Sequence, residues 1–261
     1  MGETRVDLLR LLQDLRDAYP GSLEETILTE LVANALDSGA RHIHVVADPA
    51  ARALTVLDDG KGMSRRSLSR FHDLAVTGKA RGRTIGFAGV GVKLGLLVCD
   101  EVVTETRTPN RQKPLATSWR LSSRTRAPWR WIEPPGLLDH AGTAVRLYLE
   151  NPLSPLLEMG FLESTILTHY QPLLDPALVD FLTTQYPDGV RFHVNGRPIA
   201  RTQPPPERVP LYLKIGRQRK PSGVGFLGRD GAASPEESGI AVSTLGKVIK
   251  RGWDWLGLSP G

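Results

Sequence analysis

The sequence predicts an α+β fold, a two-layer sandwich in which a mixed, mostly antiparallel sheet carries helices on one face. Three observations predict it: a capped helix at about 23–38, strand-like runs that mostly follow one another, and a second long helix at about 154–174. Helices interspersed with hairpin-connected strands are typical of this layered class.

The helices begin with an amphipathic segment at 5–17. The next helix, about 23–38, has a start signal: Ser22 is an N-cap residue and Glu25, three positions later, completes a capping box. Residues 41–47 and 53–58 flank a turn at 48–49 and predict a hairpin. Further helices are expected at about 64–75 and 92–99, and further strands at 101–107, 115–121, 128–133, 143–149 and 190–195.

Two regions are predicted along the chain. Residues 1–202 form the main domain, and 203–261 form a small second region after a linker. The linker prediction rests on the stretch RTQPPPERVP, 201–210, since consecutive prolines suit neither a helix nor a central strand. Strands are expected beyond it at 211–216, 223–228 and 239–244.

Composition describes an ordinary soluble protein. The chain has 261 residues, of which 40% are hydrophobic and 23% are charged. Its single cysteine, Cys99, excludes an internal disulfide and fits a reducing cytosol, and no window approaches the ~20 apolar residues of a membrane span. A net charge of +5, mostly from arginine, permits contact with phosphates or nucleic acid. The alternative is that these arginines are solvated surface.

The helix at 23–38 aligns three polar residues. Glu30, Asn34 and Asp37 are separated by four and three positions, so they share one helix face. This face lies apart from the apolar stripe that any core helix has. The alternative is that Glu30 and Asn34 are ordinary polar residues of an amphipathic helix and that Asp37 is an exposed acid at its end.

The stretch LTVLDDGKGMS, 54–64, ends a predicted strand in two aspartates. Asp58 at a strand end can accept a hydrogen bond from an exocyclic amine, and glycines at 60 and 62 let backbone approach a ligand closely. The alternative is an ordinary hairpin turn, because Asp-Gly is a common turn dipeptide.

The stretch TIGFAGVGVKLGLLVCDEVV, 84–103, places glycines before an apolar helix. Exposed N–H groups and a helix N-terminus can hold phosphates. The segment has neither the Gly-Lys-Ser/Thr of a P-loop nor the spacing of a dinucleotide-binding fingerprint. The alternative is a flexible glycine-rich loop.

Together, and in this order, the three segments resemble the GHKL ATPases, which include gyrase B, the large heat-shock chaperones, histidine kinases, MutL and the related MORC proteins. The stretch ELVANALDSGA is similar to the first box of MutL-type members, and IGFAGVGVKLGLLVCDEVVTETR to the last box of the chaperone and MORC types. The resemblance covers roughly residues 20–200. It implies the Bergerat type of sandwich, followed by the start of a transducer-like α/β region.

The resemblance also implies roles for single residues. Glu30 polarises the attacking water, Asn34 binds Mg²⁺, and Asp37 supports the nucleotide pocket. Asp58 accepts the adenine amino group with support from Thr143, in the late strand AGTAVRLYL. The remaining implied nucleotide contacts are Gly60, Gly62 and Met63 at the base, the start of a mobile ATP lid over 76–91 (Thr77, Gly78 and Lys79), and Gly86, Gly89, Val90, Gly91 and Val92 at the phosphates.

The expected function is therefore that of an ATPase in the cytosol, without a membrane. It binds ATP and Mg²⁺, hydrolyses ATP slowly, and acts as a conformational switch that forms ATP-dependent homodimers. Its target is either DNA, as for MutL and MORC, or protein, as for a chaperone; a third alternative is an ATP-sensing module with little turnover. In relatives a transducer lysine reaches the γ-phosphate, and Lys247 and Lys250 are the candidates here.

Overall fold

A computed structural model describes residues 6–73, 84–85, 91–200, 207–214, 216, 221–229 and 238–253. The chain divides into two compact units. The first contains Met1–Ile166 and Val190–Ile199, and the second contains Leu167–Gly189 and Ala200–Gly261. The second unit thus includes a segment that precedes the predicted linker in sequence. The boundary predicted at 202 stays a prediction.

The first unit contains an eight-stranded sheet. Its strand order is β5-β4-β3-β6-β2-β1-β7-β8, and all neighbouring pairs are antiparallel except β1 with β7. This mixed, mostly antiparallel sheet with helices confirms the predicted α+β sandwich. The strands are β1 His42–Asp48, β2 Ala53–Asp58, β3 Cys99–Arg107, β4 Leu115–Trp119, β5 Trp129–Ile132, β6 Gly142–Leu149, β7 Arg191–Val194 and β8 Arg197–Pro198.

The helices within the described part of the chain are α1 Leu8–Asp17, α2 Leu23–Asp37, α3 Arg65–Phe71, α4 Gly91–Leu94, α5 Met159–Leu174 and α6 Pro176–Leu182. The predicted capping box of α2 is confirmed. The Ser22 hydroxyl accepts from the Glu25 N–H at 3.1 Å, and the Glu25 carboxylate accepts from the Ser22 N–H at 3.3 Å. These two bonds satisfy N–H groups that a helix start otherwise leaves without partners.

The core of the first unit lies between α2 and the sheet. Ile27, Leu28 and Val32 on α2 are fully buried, as are Ile43 on β1 and Leu54 on β2. β1 alternates half-buried and buried residues, which is the two-residue period of a strand. Burial of these side chains fixes α2 against the strands that end at the candidate site.

Several sequence predictions were wrong in extent. The helix predicted at 92–99 ends earlier: α4 passes into a 3₁₀ turn, Gly95–Leu97, and Cys99 already begins β3. The predicted linker overlaps β9, Glu207–Leu213, in which Pro210 lies opposite Phe226 of β10, Gly223–Arg229. A proline is tolerated there because β9 and β10 form a two-stranded sheet that leaves an edge open.

The second unit also contains a hairpin of β11, Ile240–Thr244, and β12, Lys247–Gly252. Asp175 and Arg208 form its buried ion pair at 3.0 Å, and the Tyr186 hydroxyl donates to the Leu245 carbonyl at 2.8 Å. Lys247 and Lys250 lie on β12, and their predicted contact with a γ-phosphate stays a prediction. Among the helices that the structure describes, none combines the length and apolar character that crossing a membrane requires.

Candidate functional site

The helix α2 is buried almost all round, and this changes the meaning of its polar face. Glu30 is only 2% exposed, whereas Asn34 and Asp37 are half-buried. A carboxylate in the interior is costly unless its surroundings compensate it. The polar face of α2 is therefore enclosed by the protein, fully at Glu30 and partly at Asn34 and Asp37. On a surface helix, the polar face is open to bulk solvent.

Glu30 meets the start of α4. A Cβ atom added to Gly91 would lie 1.9 Å from the Cβ of Glu30, far inside van der Waals contact. Glycine is therefore required at 91 for α4 to approach α2 this closely. The predicted general base and the last glycine of the predicted phosphate loop consequently touch each other.

Tyr19 lies near the same carboxylate. Burial, with the negative charge of Glu30 adding to it, raises the pKa of Tyr19 to about 12. At neutral pH the phenol is therefore protonated and can act as a hydrogen-bond donor. Sequence reasoning missed Tyr19 because it precedes α2 and its proximity to Glu30 depends on how the α1–α2 connection folds.

Asp37 ties α2 to the beginning of the glycine-rich stretch. Its Oδ1 accepts a hydrogen bond from the Ile85 N–H at 2.8 Å, and Ile85 is buried. The predicted supporting role of Asp37 toward a nucleotide is untested. In the structure, the Asp37 carboxylate accepts a hydrogen bond from the backbone of Ile85, one residue before Gly86 in the sequence.

Asp58 ends β2 in a buried position, with 7% of its surface exposed. Its Oδ1 accepts hydrogen bonds from the Gly60 N–H at 2.9 Å and from the Ser38 hydroxyl at 3.2 Å. Burial raises the pKa of Asp58 to about 6, against the opposing effect of these bonds and of one from the backbone of Thr143. Above that pH the group is a carboxylate that can accept further hydrogen bonds.

Gly60 and Gly62 are both needed for close packing around Asp58. A Cβ on Gly60 would lie 1.7 Å from the Ser38 hydroxyl oxygen, so a side chain there would displace the donor to Asp58. Gly62 has φ +64°, and its Cβ would lie 2.3 Å from the Arg107 carbonyl oxygen. Of the two glycines predicted at a base-binding loop, Gly60 is thus required by the side chains of Ser38 and Asp58, and Gly62 by neighbouring backbone.

Thr106 on β3 joins the remaining parts of this end of the sheet. Its hydroxyl oxygen accepts from the Met63 N–H at 2.8 Å and lies 3.0 Å from the Gly142 carbonyl and 3.1 Å from the Thr143 hydroxyl. Thr106, Thr143 and Asp58 are paired across neighbouring strands. The structure therefore brings Met63 and Thr143 to the Asp58 side of the sheet.

Sequence reasoning missed Ser38 and Thr106. The signal for Ser38 is its place one residue beyond α2, at the C-cap, where its hydroxyl can reach the neighbouring strand. Thr106 carries no local signal, because its role depends on the register of β3 with β6. Only the pairing of these strands places its hydroxyl beside Thr143.

Some predicted site residues lie outside the described part of the chain: Thr77, Gly78, Lys79, Gly86, Gly89 and Val90. Val92 is buried in the core, next to Gly91. Lys93 is also buried, and its ammonium donates to the Asp73 carbonyl oxygen. Burial lowers the pKa of Lys93, and the charge of Asp73 opposes this shift.

The described residues contain no metal site made entirely of protein ligands, since no group of three or more His, Cys, Asp or Glu side chains among them could hold an ion. Magnesium, however, requires few protein ligands when phosphates and waters supply the others. Asn34 is half-buried one turn beyond Glu30, and an amide oxygen is a suitable Mg²⁺ ligand. The donor set therefore fits a metal that arrives with a nucleotide.

Comparison with known families agrees with this geometry. The family model described as "Histidine kinase-, DNA gyrase B-, and HSP90-like ATPase" matches residues 22–133. The match begins at the N-cap of α2 and ends after β5, so it contains Glu30, Asp58, Gly91 and Thr106.

Individual relatives are of two kinds. The chain is 34% identical over 96 residues to the DNA mismatch repair protein MutL of Phocaeicola vulgatus. The aligned stretch covers 32% of this chain and 15% of that protein. It is 39% identical over 72 residues to MutL of Bacteroides fragilis, and the aligned stretch covers 24% of this chain and 12% of that protein. It is 29% identical over 174 residues to the chaperone protein HtpG of Mycolicibacterium gilvum, and the aligned stretch covers 54% of this chain and 26% of that protein. The chain thus spans well under two thirds of the length of each relative.

The contact between Gly91 and Glu30 generates a prediction about stability. Gly91→Ala should lower the free energy of unfolding by about 2–3 kcal/mol, because the new methyl group forces α4 away from α2. Urea denaturation measures this change. Gly95→Ala is the matched control: its Cβ would lie 3.3 Å from a flexible Leu147 methyl group, so we expect a loss below about 1 kcal/mol. Equal losses in the two variants would contradict the close approach.

Proposed function

The chain belongs to the GHKL ATPase superfamily through residues 22–133, and we propose that it binds ATP with Mg²⁺ at this site and hydrolyses it slowly. The single observation that carries the proposal is that α2, which contains the first motif, contacts the other two. Ser38 donates to Asp58, Glu30 packs on Gly91, and Asp37 accepts from Ile85. The proposed adenine acceptor, the proposed general base and the glycine-rich segment are thus connected through one helix.

In the proposal, the base end of the nucleotide lies at Asp58. The carboxylate accepts a hydrogen bond from the adenine amino group, and the Thr143 hydroxyl supports this contact directly or through a water. Thr106 holds Thr143 and the Met63 backbone in place through its hydroxyl. Gly60 and Gly62 let the base lie against backbone, and Met63 covers one side.

The phosphate end lies toward Glu30 and Gly91. Glu30 takes a proton from the attacking water as the water oxygen bonds to the γ-phosphorus, and the bond from that phosphorus to the bridging oxygen breaks to leave ADP. Asn34 would hold Mg²⁺, which supplies positive charge against the phosphate oxygens. Asp37 positions the backbone at Ile85, next to the glycines proposed to surround the phosphates.

The finer parts of the proposal concern conformational change. We infer that residues 76–91, with Thr77, Gly78 and Lys79 at their start, close over bound ATP, and that two copies then associate in the cytosol. The similarity to MutL supports a DNA-associated switch. The similarity to the chaperone HtpG extends over more of this chain and favours the alternative, an ATPase that acts on proteins.

Asp58→Asn should weaken ATP binding roughly 10- to 100-fold, because the variant replaces a charged acceptor that is worth about 1.5–3 kcal/mol. Isothermal titration calorimetry measures the affinity. Asp59→Asn is the matched control: its carboxylate accepts from the Arg41 and His42 N–H groups at 2.7 and 2.9 Å, so the same charge change one residue away should leave ATP affinity within about twofold. Unchanged affinity in Asp58→Asn would refute the adenine assignment.

The same variant has a stability signature that separates lost binding from unfolding. The pKa of Asp58 is raised in the folded state, so its contribution to stability is fully present below the unfolded pKa and is lost as pH rises through about 6. At about pH 8 the buried charge therefore destabilises the ligand-free protein. Asp58→Asn should unfold at the same temperature as the wild type or higher at that pH.

Glu30→Gln should keep ATP binding and reduce hydrolysis by about 10²-fold or more, because the amide cannot accept the proton of the attacking water. A steady-state assay of phosphate release with Mg²⁺ measures the rate. Glu24→Gln, an equal charge change in the first turn of α2, is the control and should retain the wild-type rate. A normal rate in Glu30→Gln would exclude Glu30 as the base, and no turnover by the wild type would favour an ATP-sensing module.

A further inference from the structure

A basic and aromatic groove lies on the surface of the first unit, between α3 and β5. The residues that line it, here called the α3–β5 groove, are Arg65, Arg66, Ser69, Arg70 and Trp131, and its volume is about 510 Å³. α3 and β5 are separated by about 60 residues of sequence, so no local run of the chain reveals the groove. Its lining includes none of the residues assigned to ATP.

The groove is held by packing beneath it. Leu68 of α3 is fully buried, and the Ser64 hydroxyl caps the helix by accepting from the Ser67 N–H at 3.1 Å. At the other end, His72 lies 3.1 Å from the Thr117 hydroxyl and stacks on Trp129 with ring centroids 4.4 Å apart. The helix is therefore capped at its start and joined to β4 and β5 at its end through His72.

The arginines of α3 carry uncompensated charge. Arg65, Arg66 and Arg70 are exposed, and within the described part of the chain none of the three makes an ion pair. Arg66 and Arg70 are four residues apart, so they lie on the same side of the helix. Two neighbouring guanidinium groups with open donors form a site for an anion, and guanidinium geometry suits phosphate oxygens in particular.

The aromatic side of the groove is formed by Trp131, which makes contacts with Arg65 and Trp129. The guanidinium carbon of Arg65 lies 4.2 Å from the centroid of the Trp131 ring, a cation–π contact. Trp131 meets Trp129 edge to face with centroids 5.5 Å apart, and Trp129 is held by His72. A planar Arg65–Trp131 surface thus stands beside the anion-binding side chains.

We propose that the α3–β5 groove binds single-stranded nucleic acid. Arg66 and Arg70 bind backbone phosphates, Ser69 donates or accepts a hydrogen bond, and a base stacks on the Arg65–Trp131 pair. A strand of negative phosphates and flat bases matches guanidinium groups that lie beside one indole ring. An acidic peptide would satisfy the arginines but has no flat base to stack on the Arg65–Trp131 pair. A duplex keeps its bases stacked inside and offers mainly phosphates.

The test is fluorescence anisotropy of a labelled oligothymidylate of about 12 nucleotides, titrated with nucleotide-free protein over a range of salt. The double variant Arg66→Ala/Arg70→Ala should bind roughly tenfold more weakly or worse, and the slope of log K against log[salt] should fall by about 1.4, which is 0.7 for each lost phosphate contact. Arg130→Ala is the matched control. It removes one exposed charge from β5, but Arg130 lies between the two tryptophans on the opposite face of the strand and does not line the groove.

The aromatic part is tested separately. Trp131→Leu should bind roughly tenfold more weakly with an unchanged salt slope, because base stacking carries no charge. Its thermal unfolding is compared with that of the wild type, and Arg65→Ala serves as a second variant that leaves the tryptophan pair in place and should also weaken binding. An oligomer with the same phosphates but without bases should bind weakly to the wild type.

Three results would overturn the proposal: equal binding of the oligomer without bases, an Arg130→Ala loss as large as that of the double variant, or displacement by an oligoglutamate at equal concentration. The last result would indicate an acidic protein partner. Asp58→Asn should bind the oligomer as the wild type does. Loss of ATP binding and loss of this site are therefore distinguishable.

Discussion

The close approach of α4 to α2 at Gly91 and Glu30 is the constraint on which the candidate site depends. Only a residue without Cβ fits against Glu30 at this point, and the contact brings the backbone after the glycine-rich segment to a buried carboxylate. Because the C-cap of the same helix is Ser38, which donates to Asp58, a displacement of α2 would disturb both ends of the candidate site together. Fold and candidate site thus share one helix, and the capping box and apolar core that fix α2 also fix the positions of the candidate site residues.

Asp58 shows how the ligand-free site stores unfavourable free energy. Its carboxylate is buried, its pKa is raised to about 6, and the bonds from Gly60 and Ser38 offset the burial only in part. A ligand that brings a hydrogen-bond donor to this carboxylate recovers some of that free energy on binding. Thr106 plays a complementary part: it is fully buried, with its hydroxyl between Met63 and Thr143, so β3 helps to set the positions of both.

Local signals predicted much of the fold. The capping box at Ser22 and Glu25, the hairpin after β1 and the α+β class follow from short-range patterns, and the structure confirms them. Patterns that depend on distant partners were not predictable. The pairing of Pro210 in β9 needs β10, the bond of Ser38 to Asp58 needs β2 beside the end of α2, and the register of β3 with β6 decides the role of Thr106. The groove between α3 and β5 is a further case, because its arginines and its tryptophan come from separate parts of the chain.

The most direct test of the central claim is the pH dependence of ATP affinity, measured by calorimetry on the wild type and on Asp58→Asn between about pH 5 and 8. The phosphates of ATP also take up protons in this range, so the difference between the two proteins isolates Asp58. Under the proposal that the adenine amino group binds the charged carboxylate, wild-type affinity should fall more steeply than that of the variant as pH decreases through about 6. Parallel pH profiles would contradict the assignment of Asp58 to adenine and, with it, the placement of ATP in this site.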